Sequence, residues 1–272
     1  MTAIGQAVGN TSTTQLLKSI VAANRRAKTR YRLIYSAVWA IILVVLAIAL
    51  GTTGKIDFAF IQKWGGFILG GAGTTIVVCI FSITMATMLA VVGALGRLSS
   101  NPVINGVASF YVSLVRGTPL LVQIFFIYYS LPEFKIVIPG LEAGIIALGF
   151  NYGAYMTEIF RAGIQAVPKG QREAAEALAM PGNLVMRRIV LPQATRIVIP
   201  DLGNQFVAMI KDSALVSTIG VTEVLNNAQL AGSQGLQFTA AFLVAALIYW
   251  GLTIIFSTVQ SWLERRMARG DR

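Results

Sequence analysis

The sequence contains no histidine and a single cysteine, Cys79, among its 272 residues. Without histidine the chain lacks the commonest general base, proton shuttle and metal ligand. One cysteine forms neither an intrachain disulfide nor a cysteine-rich metal site. Charged residues make up only 12% of the chain, against about 25% in soluble domains. These absences argue against membrane metalloproteases, disulfide scaffolds and ordinary soluble enzymes.

Hydrophobic residues are abundant instead, at 56% of the chain, and they occur in long runs. A helix needs roughly 20 mainly apolar residues to cross a bilayer. Runs near this length predict an all-α membrane protein with about six transmembrane helices. The predicted spans are 33–50, 69–95, 103–131, 141–160, 197–219 and 239–262. The third is long enough to be tilted or broken, and the first is too strongly preceded by charge to be a cleaved signal peptide.

The net charge of +11 is explained by the orientation of the chain in the membrane, because the basic residues collect on one side. If the six spans alternate, seventeen Lys and Arg fall on the side that holds both termini, and three fall on the other side. Cytoplasmic flanks collect Lys and Arg, so the pattern predicts cytoplasmic termini and a cytoplasmic loop at 161–196. Nucleic acid is therefore not needed as a partner. The basic segment 1–32 also has apolar residues at helical spacing, which fits a helix on the membrane surface.

The loop between the fourth and fifth spans contains a short helix of about three turns, bounded by Pro168 and the pair Pro181-Gly182. Ala174, Ala175 and Ala177 give it a low-relief face. Arg172, Glu173 and Glu176 surround that face and suit a helix that docks against a partner. A solvated loop helix with good intrinsic propensity is the alternative.

The order of residues in this loop resembles the cytoplasmic motif of binding-protein-dependent ABC importer permeases. Glu173-Ala174-Ala175 is followed at the family spacings by Ala179 and then by Ile189, Leu191 and Pro192. Alanine replaces the usual glycine at 179, and a positive φ there would be unfavourable for alanine. Segments 113–129, 155–171 and 202–220 are similar to the polar amino-acid branch of the same family, and the resemblance covers roughly 65–265.

This resemblance implies a five-helix type I permease core, with the 33–50 helix as an N-terminal addition. It also implies a bacterial inner-membrane location, a second identical or homologous permease, two ATPase subunits and an external amino-acid-binding protein. The 168–183 helix would couple to the ATPase, and 266–272 would form a cytoplasmic tail. The chain has no phosphate-binding loop of its own, so we expect ATP and Mg²⁺ to bind the partner and this chain to carry no cofactor or catalytic residue.

Polar residues within the predicted spans are candidates for a substrate path, because charge inside a bilayer needs a partner or a cavity. They are Arg116, Gly117, Thr118, Pro119, Gln123, Asn151, Tyr155, Glu158, Asp201, Asn204, Gln205, Lys211, Asp212 and Ser213. Several have a structural alternative: Asp201 suits a helix N-terminus, and Glu158 can reach water or Arg161. Lys211 and Asp212 can pair with another helix, and Gln123, Asn151 and Tyr155 can join helices by hydrogen bonds. We expect Arg116 or its neighbours to meet a substrate carboxylate.

Two other functional classes fit the same helices. A self-sufficient secondary transporter or channel would use the charges within the spans equally well. A membrane scaffold or receptor would need no transport path, but this interpretation does not explain the buried charges. The cytoplasmic motif favours the ATP-driven importer over both.

Overall fold

The structure is a computed structural model that describes residues 3–52 and 57–268, and every regular element in these ranges is helical. The all-α prediction is therefore confirmed. The ten α-helices of the described chain are α1 (Ala3–Thr52), α2 (Phe58–Leu98), α3 (Pro102–Arg116), α4 (Leu120–Phe125), α5 (Gly140–Ala166), α6 (Lys169–Ala177), α7 (Gly182–Val185), α8 (Leu191–Asp212), α9 (Val224–Gly235) and α10 (Phe238–Ala268). The prediction that segment 1–32 lies on the membrane surface concerns side chains that are partly outside the described residues. Residues 269–272, most of the predicted tail 266–272, also lie outside them.

Within the described residues, two helices are long and apolar enough to cross a membrane by length and composition alone: Phe58–Leu98 and Phe238–Arg266. The third predicted span is not one helix. Pro102–Arg116 and Leu120–Phe134 are bent by 104° where Gly117, Thr118 and Pro119 intervene. Proline removes a backbone donor and disfavours helical geometry in the residue before it, so the chain breaks there.

The fifth predicted span also differs from the structure. Its helix, α8, begins at Leu191 and includes Pro200, and it continues into a 3₁₀ segment, Ser213–Ile219. The following helix, α9, lies between two predicted spans and was not expected. Glu223 caps its N-terminus by accepting a hydrogen bond from the Asn226 N–H at 2.9 Å.

Helices α2 and α5 form the centre of the 57–268 unit and approach each other through small residues. A Cβ on Gly93 would lie 2.3 Å from Thr157 Oγ1, so only glycine permits this separation. Small residues at helix contacts are typical of membrane proteins, where packing rather than hydrophobic burial drives association. Large apolar side chains such as Phe81, Val92 and Phe110 point outward and are exposed, as expected for a lipid-facing rim.

The N-terminal unit consists of α1, one continuous helix of 50 residues. At 1.5 Å per residue it is roughly 75 Å long, more than twice the approximately 30 Å hydrocarbon core of a bilayer. Tyr31, Tyr35 and Trp39 form a stripe along it, with successive ring centroids 6.2 Å apart. Only part of α1 can therefore lie within the membrane.

Candidate functional site

A cavity of about 510 Å³ lies where the break between α3 and α4 faces α5 and α8. Its lining residues come from three segments that are distant in sequence, and most of them are polar. They are Arg116, Gly117, Thr118, Pro119, Leu120, Asn151, Tyr152, Tyr155, Gln205 and Asp212. Eight of these belong to the predicted substrate path, so the structure brings the greater part of that set together.

The broken backbone at this cavity is held by Gln123. Its side-chain amide donates to the carbonyl oxygen of Val115 at 2.8 Å and to the hydroxyl of Thr118 at 2.9 Å. The Asn151 amide in turn donates to Gln123 Oε1 at 3.2 Å. Gln123 therefore satisfies a carbonyl near the end of α3 and links the break to α5, behind the cavity lining.

Opposite charges face the cavity from different helices. The Arg116 guanidinium carbon lies 5.0 Å from the centre of the Tyr155 ring, within the range of a cation–π contact. The Tyr152 hydroxyl donates to Asp212 Oδ2 at 2.8 Å. Among the described residues, neither Arg116 nor Asp212 takes part in an ion pair. The cavity thus offers one cation and one carboxylate, and no ion pair within the described residues neutralises either of them.

The remaining predicted path residues lie elsewhere. Glu158 forms ion pairs with Arg97 and Arg161. Asp201 and Lys211 are exposed, and Asn204 Oδ1 accepts a hydrogen bond from Gln260 at 2.9 Å. Ser213 is buried and donates to the Ile210 carbonyl at 2.8 Å.

Two lining residues, Leu120 and Tyr152, were not predicted. Tyr152 is only 4% exposed, and its hydroxyl orients the Asp212 carboxylate. It follows Asn151 directly and precedes Tyr155 by three residues, so a helical wheel of α5 would have placed it beside two residues that were singled out.

The cytoplasmic-loop motif forms α6 and the turn that ends it. Ala179 has a φ of 56°, the left-handed conformation that glycine adopts most easily. The Ala179 N–H donates to the Glu176 carbonyl at 2.8 Å, and the Met180 N–H donates to the Ala175 carbonyl at 3.1 Å. These two bonds form a Schellman motif, which satisfies carbonyls at the end of a helix. The alanine therefore occupies the strained position that the sequence pattern suggested.

The alanines of α6 do not share one environment. Ala175 is 2% exposed and packs in a small core with Ile164, Val185 and Val190, whereas Ala174 is exposed. Arg172 donates to the Ile164 carbonyl at 2.9 Å, which ties α6 to the end of α5.

The outward side of α6 carries Glu173, Ala174 and Glu176, together with Leu178, which is 79% exposed. Leu178 was not predicted as part of this surface. No pattern in the sequence distinguishes an exposed leucine from a core leucine in so short a helix.

The second part of the motif begins the next long helix. Ile189 lies in a π-helical turn, Met186–Val190, which leads directly into α8. Leu191 is the first residue of α8 and is 40% exposed, and Pro192 follows it directly after the π-helical turn, where it donates no backbone hydrogen bond to that turn.

Comparison with known proteins identifies the family. Residues 86–269 match the family described as binding-protein-dependent transport system inner membrane component. The chain belongs to this family of permeases. The permease is 38% identical over 214 residues to a probable amino-acid ABC transporter permease, PatM, of Vibrio harveyi, covering 78% of this chain and 96% of that protein. It is 41% identical over 224 residues to the L-cystine transport system permease TcyB of Bacillus subtilis (strain 168), covering 82% and 95%.

The fold of the permease agrees with a solved relative. The crystal structure of an amino acid ABC transporter with histidines contains a chain that is 39% identical, with a TM-score of 0.75, and the match covers 78% of this chain and 99% of that one. The permease therefore has the type I importer core and is an integral inner-membrane protein. In this family ATP hydrolysis lies with partner subunits, and membership implies a binding protein and a second permease.

Proposed function

We propose that this permease forms, with a second permease, the path by which an amino acid crosses the bacterial inner membrane, driven by ATP hydrolysis on two partner ATPases. The observation that carries this proposal is the cavity with Arg116 and Asp212 on different helices. A zwitterionic amino acid presents one carboxylate and one ammonium. Arg116 suits the carboxylate, and Asp212, oriented by Tyr152, suits the ammonium.

The size of the cavity supports a small solute. Its volume of about 510 Å³ lies within the range of roughly 300–1,000 Å³ that is typical of small-molecule sites. The break between α3 and α4 adds backbone groups to this wall, and irregular backbone at membrane depth is tolerated where it lines a cavity. Discontinuous helices of this kind commonly surround substrate sites in transporters.

Coupling to ATP would occur through α6. The exposed residues Glu173, Ala174, Glu176 and Leu178 offer charge at the sides and an apolar tip, which suits insertion into a cleft of the ATPase. ATP and Mg²⁺ would bind that partner, while an external binding protein delivers the amino acid. This arrangement requires α6 and both termini to be cytoplasmic, which agrees with the bias of Lys and Arg.

The docking surface has a direct test. Glu173→Lys should leave membrane insertion intact but reduce the amount of ATPase that co-purifies with the permease in detergent, because it reverses a charge on the outward side of α6. Lys63→Glu, which reverses a charge in α2 outside the loop, serves as the control. Equal ATPase recovery for wild type and Glu173→Lys would contradict docking through this face.

Equilibrium binding to the purified complex, without the binding protein, tests the cavity. The probes are radiolabelled L-cystine and L-histidine, with the corresponding amino-acid amides and N-acetyl derivatives as competitors. Arg116→Gln should abolish the preference for the free carboxylate, because the cation that recognises it is gone. Asp212→Asn should abolish the preference for the free ammonium. If both variants keep wild-type preferences and uptake, these two side chains do not recognise the substrate.

A further inference from the structure

We infer that a charged cluster between the cavity and α6 transmits the movement of α6 to the cavity. The cluster consists of Arg97 from α2, Ser109 from α3, and Glu158 and Arg161 from α5, and we call it the three-helix clamp. The inference rests on the proposed function, because it assumes that an ATPase moves α6. It assigns to these residues a positioning role in transport, separate from any contact with the substrate.

A single carboxylate connects two of the three helices. Glu158 Oε1 accepts a hydrogen bond from Arg97 Nε at 3.0 Å. Glu158 Oε2 accepts from Arg161 Nη2 at 2.7 Å and from Arg161 Nε at 3.0 Å. Each carboxylate oxygen therefore binds a different arginine, and α2 is tied to α5 by one ion pair.

Arg97 connects the third helix through both its side chain and its backbone. Its Nη1 donates to the Ser109 hydroxyl, and its carbonyl accepts from the Asn105 side-chain amide at 2.8 Å. The Ser109 hydroxyl also donates to Asn105 Oδ1 at 3.1 Å. The end of α2 and the first half of α3 are thus held together by two bonds, and the third bond, within α3, links their two partners Asn105 and Ser109.

The close packing of α2 against α5 does not depend on this cluster. Helices α2 and α5 already touch closely where Gly93 meets Thr157, four residues before Arg97 and one before Glu158. The three charged side chains are only 19–28% exposed, so their interactions are weakly screened. A partly buried ion pair adds little net stability over an apolar contact, but it can specify one arrangement among several. This favours a role in fixing how the helices move together.

The positions of the residues along α5 support that role. Asn151, Tyr155 and Glu158 follow one another at spacings of four and three, so they lie on one stripe of the helix. The first two line the cavity, and the third belongs to the clamp. Six residues further on, the carbonyl of Ile164 accepts the bond from Arg172 of α6. A movement of α6 therefore reaches α5 before it reaches the cavity.

Helix α3 also joins the clamp to the cavity, but its chain runs from the clamp towards the cavity, whereas that of α5 runs from the cavity towards the clamp. Ser109 belongs to the clamp, and Arg116, seven residues later on the same stripe, ends the helix at the cavity beside Tyr155. Helix α3 is only 15 residues long and is separated from α4 by the bend. The clamp ties its first half to the charged side chain of Arg97 on α2. Tyr111 of α3 also donates to the Phe150 carbonyl of α5 at 2.8 Å, so without the clamp we expect α3 to follow α5 less closely and Arg116 to lose its place beside Tyr155.

The experiment compares Glu158→Gln with Glu142→Gln, the same substitution at the exposed start of the same helix. Both variants are reconstituted with ATPase and binding protein, and ATP hydrolysis and amino-acid uptake are measured together. For Glu158→Gln we expect the ATP used per amino acid transported to rise about tenfold, within the range of coupling energies between sites. Hydrolysis, and the binding-protein concentration for half-maximal uptake, should stay within about twofold of wild type. Glu142→Gln should match wild type.

A second variant keeps the test decisive if Glu158→Gln does not assemble. Ser109→Ala removes a neutral partner of Arg97 together with the Ser109–Asn105 bond but leaves the ion pairs in place, and we expect it to raise the ATP used per amino acid by about threefold. Wild-type ratios in the variants that assemble would overturn the inference. A parallel loss of hydrolysis and uptake would also overturn it, because that result indicates general damage. Failure of the proposed function would appear separately, as wild-type complex that shows no ATP-dependent uptake.

Discussion

Replacing Ala179 with glycine should stabilise the end of α6. Ala179 has a φ of 56° and is exposed, so the change removes backbone strain and sacrifices no buried contact. A non-glycine residue in the left-handed region costs roughly 1–2 kcal/mol. Glycine gives back about 0.4–1 kcal/mol through the greater freedom of the unfolded chain. We therefore expect a net local gain of about 0.5–1 kcal/mol.

Hydrogen exchange measures this gain at the amides that close the turn. The N–H groups of Ala179 and Met180 make the two bonds of the Schellman motif, at 2.8 and 3.1 Å. A gain of about 0.5–1 kcal/mol corresponds to slower exchange in the peptide that covers α6, by roughly two- to fivefold, if the amides exchange by local opening.

The matched control is Ala177→Gly, two residues earlier. Ala177 is exposed and is the last residue of α6, where the backbone is still helical and glycine is less favourable than alanine by up to about 1 kcal/mol. The same substitution should therefore change exchange in opposite directions at 177 and 179. If both variants exchange faster than wild type, Ala179 is not in the left-handed conformation and the description of this turn is wrong.

Two further predictions concern close packing. Ala175→Leu should overpack the small core under α6 and destabilise the purified permease by about 1–3 kcal/mol, whereas Ala174→Leu, on the exposed side, should preserve stability but weaken ATPase co-purification. Equal melting temperatures for the two would contradict the different burial. Gly71→Ala should lower the melting temperature, because its Cβ would lie 2.5 Å from the backbone carbon of Glu223, while Gly70→Ala enters open space and should not. An unchanged Gly71→Ala would contradict this close approach.

Helices α2 and α10 could be predicted from the sequence because each contains an apolar run of membrane length. The break in the third span was also readable, since Gly117 and Pro119 interrupt the run near its middle. Helix α9 was missed because Asn226, Asn227 and Gln229 resemble a polar loop. The structure shows that Asn227 donates to the Phe67 carbonyl at 2.9 Å, so tertiary packing against α2 stabilises a helix that local composition disguises.

The cavity was partly predictable for a similar reason. Charge such as Arg116 inside a span points to a cavity or a partner, and the sequence alone could identify it. The partners of Glu158 were harder to predict. Its contact with Arg161 follows from helical spacing, but Arg97 is 61 residues away along the chain, and no local pattern pairs them. Likewise, the run of alanines predicted one docking face that contains both Ala174 and Ala175. Their different burial depends on how the whole loop folds, which the run of alanines does not show.

The most direct test of the account is amino-acid uptake into liposomes that contain the permease and its co-purifying ATPase. The binding protein is supplied outside, and ATP is either enclosed or omitted. We predict accumulation of the amino acid against its gradient only when ATP is enclosed. Uptake driven by an ion gradient in the absence of the ATPase would contradict the account and identify the chain as a self-sufficient transporter.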